Sequence, residues 1–149
     1  MPRFSRTSGR LLCLCSALLL VGLIMLFFGA DSKVNQKNLD LIYSYGWEVD
    51  TAPEEVVRLT IPKTFDSVFS AYNTTVRSGG FDLTPYQGVS ASRYTYRVLN
   101  HKDSAGGLIR IHIFVTRDGI VAADVCSLAP DGFLLPINDT SGQVHKESY

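Results

Sequence analysis

Ile109-Arg110-Ile111-His112-Ile113-Phe114-Val115-Thr116-Arg117-Asp118-Gly119-Ile120-Val121-Ala122-Ala123-Asp124-Val125-Cys126-Ser127-Leu128 is the stretch that decides the fold. Ile109, Ile111, Ile113 and Val115 alternate with Arg110, His112 and Phe114, the two-residue period of a strand. Asp118-Gly119 is a hairpin signal, and Ile120 to Leu128 reads as the returning strand. A two-residue loop at that dipeptide sets His112 opposite Val125 and Asp124 opposite Ile113, so Asp124 is expected on the same face as the isoleucines. A carboxylate there needs a partner, and Arg93, Arg97, turn N–H groups, Tyr94 and Tyr96 are the candidates.

Toward the N-terminus, Tyr94, Tyr96 and Val98 alternate with Thr95 and Arg97 as a half-buried strand does, and Gly106-Gly107 separates this strand from the hairpin. Phe65, Val68, Phe69, Tyr72 and Val76 are spaced as one face of an amphipathic helix, with Thr64 as its cap and Gly79-Gly80 as its stop. Val56 to Ile61 reads as a strand ended by Pro62, and Leu39, Ile42 and Tyr43 as a short helix ended by Gly46. Strands grouped apart from helices predict an α+β, two-layer domain. Its antiparallel sheet has about four strands, with one long helix on the Ile109, Ile111, Ile113 and Val115 face. Phe133-Leu134-Leu135 is expected to pack on the core before a loose polar tail, residues 138–149.

Residues 11–30 carry no charge and are long enough to span a bilayer core as a helix. Phe28 would occupy a cleavage-site position that wants a small residue, so an uncleaved signal anchor is expected rather than a signal peptide. Arg3, Arg6 and Arg10 precede the run and Asp31 follows it, which predicts a cytoplasmic N-terminus, residues 1–10, and an extracytoplasmic C-terminal part. Residues 31–38 read as a stalk and 39–137 as the domain. After residue 30, eleven basic residues stand against fourteen acidic ones, which argues against nucleic acid as a partner. Cys126 is the one cysteine on that side, so the domain is expected to be held by packing without an internal disulfide.

Several strings occur together in order: Tyr45-Gly46-Trp47, Ile61-Pro62 with Phe65, Tyr72-Asn73, Gly80-Phe81-Asp82-Leu83, Tyr86-Gln87-Gly88, Arg93-Tyr94-Thr95-Tyr96 with Asn100, Asp124-Val125-Cys126-Ser127 and Asp131-Gly132-Phe133. In this combination the chain resembles the domain of unknown function 4830 family of clostridia and related Gram-positive bacteria, over about residues 40 to 137. The pattern departs at Ala122-Ala123, where paired glycines are expected, and at His101, where an aromatic is expected. The resemblance implies a membrane-anchored protein of the bacterial cell envelope and carries over no activity, cofactor or catalytic residue.

The three histidines, His101, His112 and His145, lack metal-binding spacing, and no metal or cofactor is expected. With His112 opposite Val125, Cys126 falls on the other face of the sheet, which argues against a Cys126–His112 dyad. No Gly-x-Ser-x-Gly elbow or phosphate loop is present. The leading expectation is a noncatalytic module that binds an envelope protein or cell-wall component. The alternative is a small extracytoplasmic enzyme whose polar site is drawn from Asp82, Tyr86, Arg93 and Asp124.

Overall fold

The computed structural model describes residues 32–144. Helix α1 covers residues 32–44, and strand β1 follows at Glu55–Thr60. Helix α2 spans Ser67–Ser78, β2 Ser90–Arg97, β3 Ile109–Thr116, β4 Gly119–Ser127 and β5 Leu134–Pro136. The strands form one antiparallel sheet in the order β1-β2-β3-β4-β5, each paired with its sequence neighbour. The α+β class is thus as expected, with a fifth strand made from the apolar piece after Gly132. The expected transmembrane helix at 11–30 lies outside the described residues. Among the described residues no helix is long and apolar enough to cross a membrane.

Among the described residues, those from Asn38 onward form one compact unit. Residue 38 therefore belongs with the folded body, and Asn38, placed in the stalk by its polarity, is completely buried with its amide donating to the Tyr96 hydroxyl at 3.1 Å. The tail is likewise tied down as far as Val144. Asn138 bonds the Ser78 carbonyl, Gln143 the Tyr45 carbonyl, and the Val144 N–H the Asn100 carbonyl. The polar composition that suggested a loose end supplies the groups that satisfy these carbonyls.

Both faces of the sheet are covered, and α2 lies on the face opposite to the expected one. The isoleucine face of β3 carries Tyr96 and is served by Asn38, and Leu39, Ile42 and Trp47 are buried beside it in sequence. The Trp47 indole donates to the Ile137 carbonyl at 2.8 Å, and Val49 bridges to Val98. Helix α2 instead packs Val76 against Ile61, Leu83, Ala91, Phe114 and Ala122. Alternation along β3 reveals that two faces exist, but Phe114 makes the second face apolar enough to hold a helix too.

Asp66, rather than Thr64, caps α2, accepting from the Phe69 N–H at 2.7 Å. The stop is glycine, as expected. The Gly80 N–H bonds the Arg77 carbonyl and the Phe81 N–H the Val76 carbonyl, the pairing that ends a helix when the intervening residue adopts positive φ, here +91° at Gly80. His101 fills an aromatic's place: its ring centroid lies 6.3 Å from that of Trp47 and 5.4 Å from that of Phe133. Burial pushes its pKa down.

Asn73 secures the connector after α2. Its side-chain oxygen accepts from the Leu83 N–H at 2.8 Å, and its amide donates to Asp82 Oδ1 and Thr84 Oγ1. Replacing Asn73 by Ala strands the Leu83 N–H beside a fully buried side chain. Asn73→Ala is therefore expected to lower stability by about 1–3 kcal/mol, measured as a fall in the denaturant midpoint; an unchanged midpoint would show that the connector does not depend on this amide.

Candidate functional site

The tip of the β3–β4 hairpin determines which side chains meet. Thr116 pairs with Gly119, so the turn residues are Arg117 and Asp118 rather than Asp118 and Gly119. Val115 pairs with Ile120, but Phe114 pairs with Ala122, leaving Val121 as the extra residue of a β-bulge. From there His112 stands opposite Asp124 and Arg110 opposite Cys126. The sequence-based register, with Ile113 opposite Asp124, is therefore displaced by one residue, and one residue is enough to turn every side chain of β4 over. Asp124 and Cys126 leave the isoleucine face and join His112 on the α2 side.

The three side chains converge. His112 Nδ1 lies 3.0 Å from Asp124 Oδ1 and 3.8 Å from Cys126 Sγ. Asp124 is completely buried, and its other oxygen accepts a 2.6 Å hydrogen bond from the Tyr72 hydroxyl. Tyr72 is presented by α2 at the end of an aromatic series in which Phe65 meets Phe69, Phe69 meets Tyr72, and Tyr72 meets Phe114 at 5.9 Å between centroids. The partners of Asp124 are thus Tyr72 and His112, not Tyr94, Tyr96 or the arginines. Arg97 is paired with Asp50 and Arg93 with Glu55, each at 2.8 Å. The dyad contact that the expected register ruled out is present.

Charge follows from these contacts. Burial disfavours the His112 imidazolium, but hydrogen bonds to Asp124 and Cys126 and their charges outweigh it and raise the pKa to about 9. The Tyr72 hydroxyl is pushed well above its ordinary value, first by burial and then by the neighbouring Asp124 charge. The Asp124 side chain is therefore held between the His112 imidazolium and the Tyr72 phenol, with Cys126 at the edge of the group. Its ligating N, O and S atoms lie within 4.8 Å of one another, close enough for His112, Asp124 and Cys126 to share a cation.

This group lies on the floor of a cleft of about 780 Å³ between α2 and the sheet. Val68, Phe69 and Ala71 of α2, Phe114 of β3 and Leu134 of β5 supply apolar walls. Val68 belongs to the apolar stripe of α2 but is 76% exposed, because it borders the cleft instead of packed core. Of the four residues proposed from sequence, Arg93 and Asp124 line this cleft. Asp82 sits in the connector, where hydrogen bonds from Thr84 and Asn73 hold its carboxyl down to about 2. Tyr86 packs partly buried against the apolar cluster beneath α2. Sequence reasoning weighed His112 with Cys126 and set the pair aside on the expected register, and it read Tyr72 only as part of the apolar face of α2. The signal that could have joined them is the Asp124-x-Cys126 spacing, which places those two side chains on one strand face.

Removing the carboxylate leaves the Tyr72 hydroxyl and the His112 ring without their shared acceptor. Asp124→Ala is expected to cost about 3–5 kcal/mol, read from the unfolding midpoint, whereas Asp118→Asn in the exposed turn should stay within about 0.5 kcal/mol. Because His112 titrates higher folded than unfolded, its stabilisation is complete below pH 6.5 and lost as pH rises through about 9. In metal-free buffer the wild-type midpoint should fall across that window, and His112→Gln should flatten the profile; parallel profiles would refute the ion pair.

No curated protein and no solved structure matches the chain. A family model, domain of unknown function (DUF4830), matches residues 41–125, which include α2, the connector and the hairpin through Asp124. That match covers more than half of the sequence, and the chain belongs to the DUF4830 family.

Proposed function

We propose that the protein is a membrane-anchored, extracytoplasmic binding module of the bacterial cell envelope whose α2–sheet cleft takes an amphiphilic ligand with an apolar body and an anionic head. The observation that carries this reading is the cleft itself: its volume suits a small molecule, its walls are apolar, and its polar groups gather at the floor. Arg93 lines it and has a buried Nε with no acceptor among the described residues, and His112 supplies a second cationic group. The uncharged run at 11–30 with Arg3, Arg6 and Arg10 before it supports the anchor and its orientation.

A second reading, a thiol-dependent enzyme, is favoured by the Cys126–His112 contact. In that case Cys126 is the nucleophile and His112 its proton partner. Against it, the nitrogen nearest the sulfur is also engaged by Asp124, and a pKa near 9 makes His112 a poor proton acceptor at neutral pH.

A fluorescent long-chain carboxylate should bind the full chain at one site. Ala71→Trp, which fills the cleft, should abolish binding, and Arg93→Gln should weaken it about tenfold, the loss of one charged hydrogen bond. Equal binding by Ala71→Trp would exclude the cleft. For topology, alkaline phosphatase fused after Lys37 is expected to be active in cells and a cytoplasmic fluorescent protein at the same position dark; the reverse pattern would overturn the orientation.

A further inference from the structure

We propose that His112, Asp124 and Cys126 form a zinc-binding site, with the fourth coordination position directed to the cleft. The donors are one imidazole nitrogen, one carboxylate oxygen and one sulfur, and all come from paired strands whose backbone fixes their spacing. A tetrahedral zinc ion, with bonds of about 2.0–2.1 Å to N or O and about 2.3 Å to S, places its N and S ligands about 3.6 Å apart and its N and O ligands about 3.3 Å apart. The separations of 3.8 Å and 3.0 Å are close to those edges, and the third, between the Asp124 oxygen and the Cys126 sulfur, lies within 4.8 Å, so the ion draws these two side chains together from positions already facing one another.

Charge and chemistry agree with this geometry. A dication bound by a carboxylate, a thiolate and a neutral imidazole leaves no net charge, which suits a site where Asp124 is fully buried. Sulfur selects zinc over magnesium or calcium, which take oxygen ligands. Tyr72 donates to Asp124 Oδ2 and leaves Oδ1 turned toward His112, the arrangement in which an outer hydrogen bond orients a ligating carboxylate. In a purely hydrogen-bonded network Cys126 has little to contribute, because a thiol is a weak donor and the nearest nitrogen is already engaged. The apolar cleft provides the entry path, since all three ligands line it. Binding displaces the proton shared by His112 and Asp124 and the thiol proton, and both pass to solvent. The site does not depend on an amphiphile occupying the cleft.

The test uses the full-length chain with Cys13 and Cys15 replaced by Ser, so that Cys126 is the only thiol. After chelator treatment the protein is titrated with Co²⁺ and then Zn²⁺. One equivalent of Co²⁺ should give the intense visible absorption of a tetrahedral site and a near-ultraviolet thiolate-to-cobalt band, both removed by Zn²⁺. Tyr72→Phe should keep the spectrum and bind about 10–100-fold more weakly, while Cys126→Ser should lose the near-ultraviolet band. Weak octahedral absorption, no thiolate band, or equal affinity in a Cys126→Ser chain with unchanged circular dichroism would each overturn the proposal. Should Cys126→Ser fail to fold, the presence or absence of the thiolate band in the parent decides.

Discussion

One extra residue in β4 organises the polar centre of this domain. Val121 has no partner on β3, and that bulge carries Asp124 from the isoleucine face to the α2 face, opposite His112. Without it, continuing the pairing of Val115 with Ile120 would place Asp124 opposite Ile111, in an environment made of isoleucine and valine. A lone carboxylate there would cost several kcal/mol and lack any counter-charge on its own row. With it, the row across the sheet reads Thr95, His112, Asp124 and Pro136, and the next row brings Cys126 alongside. The bulge thus exchanges one unmade ladder pair for a satisfied network.

Much of the fold was legible because it rests on periodicity. The alternation along β2 and β3, the spacing of Phe65, Phe69, Tyr72 and Val76, and the Gly79-Gly80 stop each state their element directly. The face on which α2 packs was not legible, because β3 offers isoleucines on one side and Phe114 on the other. Deciding between them requires knowing that residues 38–49 claim the first. The site was illegible for a sharper reason. Register along a hairpin propagates from its turn, Arg117-Asp118 and Asp118-Gly119 are adjacent alternatives, and a bulge leaves no compositional mark on the run Ile120-Val121-Ala122-Ala123. Moving a two-residue turn by one position changes the pairing by two and keeps each side chain on its face, so it is the one-residue bulge that inverts every inference about Asp124, His112 and Cys126.

Several of the strings quoted from the sequence have structural duties. Asn73, Asp82 and Leu83 close the connector after α2. Asn100 bonds both the Gly46 carbonyl and the Glu48 N–H, fixing the chain as it enters Trp47. Gly132 admits no side chain, because a Cβ would run into the Ser127 and Ala129 carbonyls. These contacts give the strings structural roles without invoking chemistry, and Asp82 and Tyr86 lie outside the residues that line the cleft. Tyr72 belongs to both groups: its ring completes the packing of α2, and its hydroxyl reaches the polar floor.

The balance of energies at that floor bears on what the site is for. Replacing a buried polar pair by well-packed apolar side chains is often neutral or stabilising, so stability alone is a weak reason to keep Asp124 and His112 under a helix. The neighbouring rows show that apolar alternatives fit: Ala122 and Phe114 occupy the equivalent positions one pair along, and Val76 packs over them. The polar row begins where the packed core beneath α2 gives way to the cleft, and there Val68 is left exposed at the rim. A structural network would be expected under the best-covered part of the helix, where its low-dielectric surroundings strengthen it most. Here the network instead lies on the floor of the cleft, with the Cys126 sulfur beside it and Arg93 lining the same cleft.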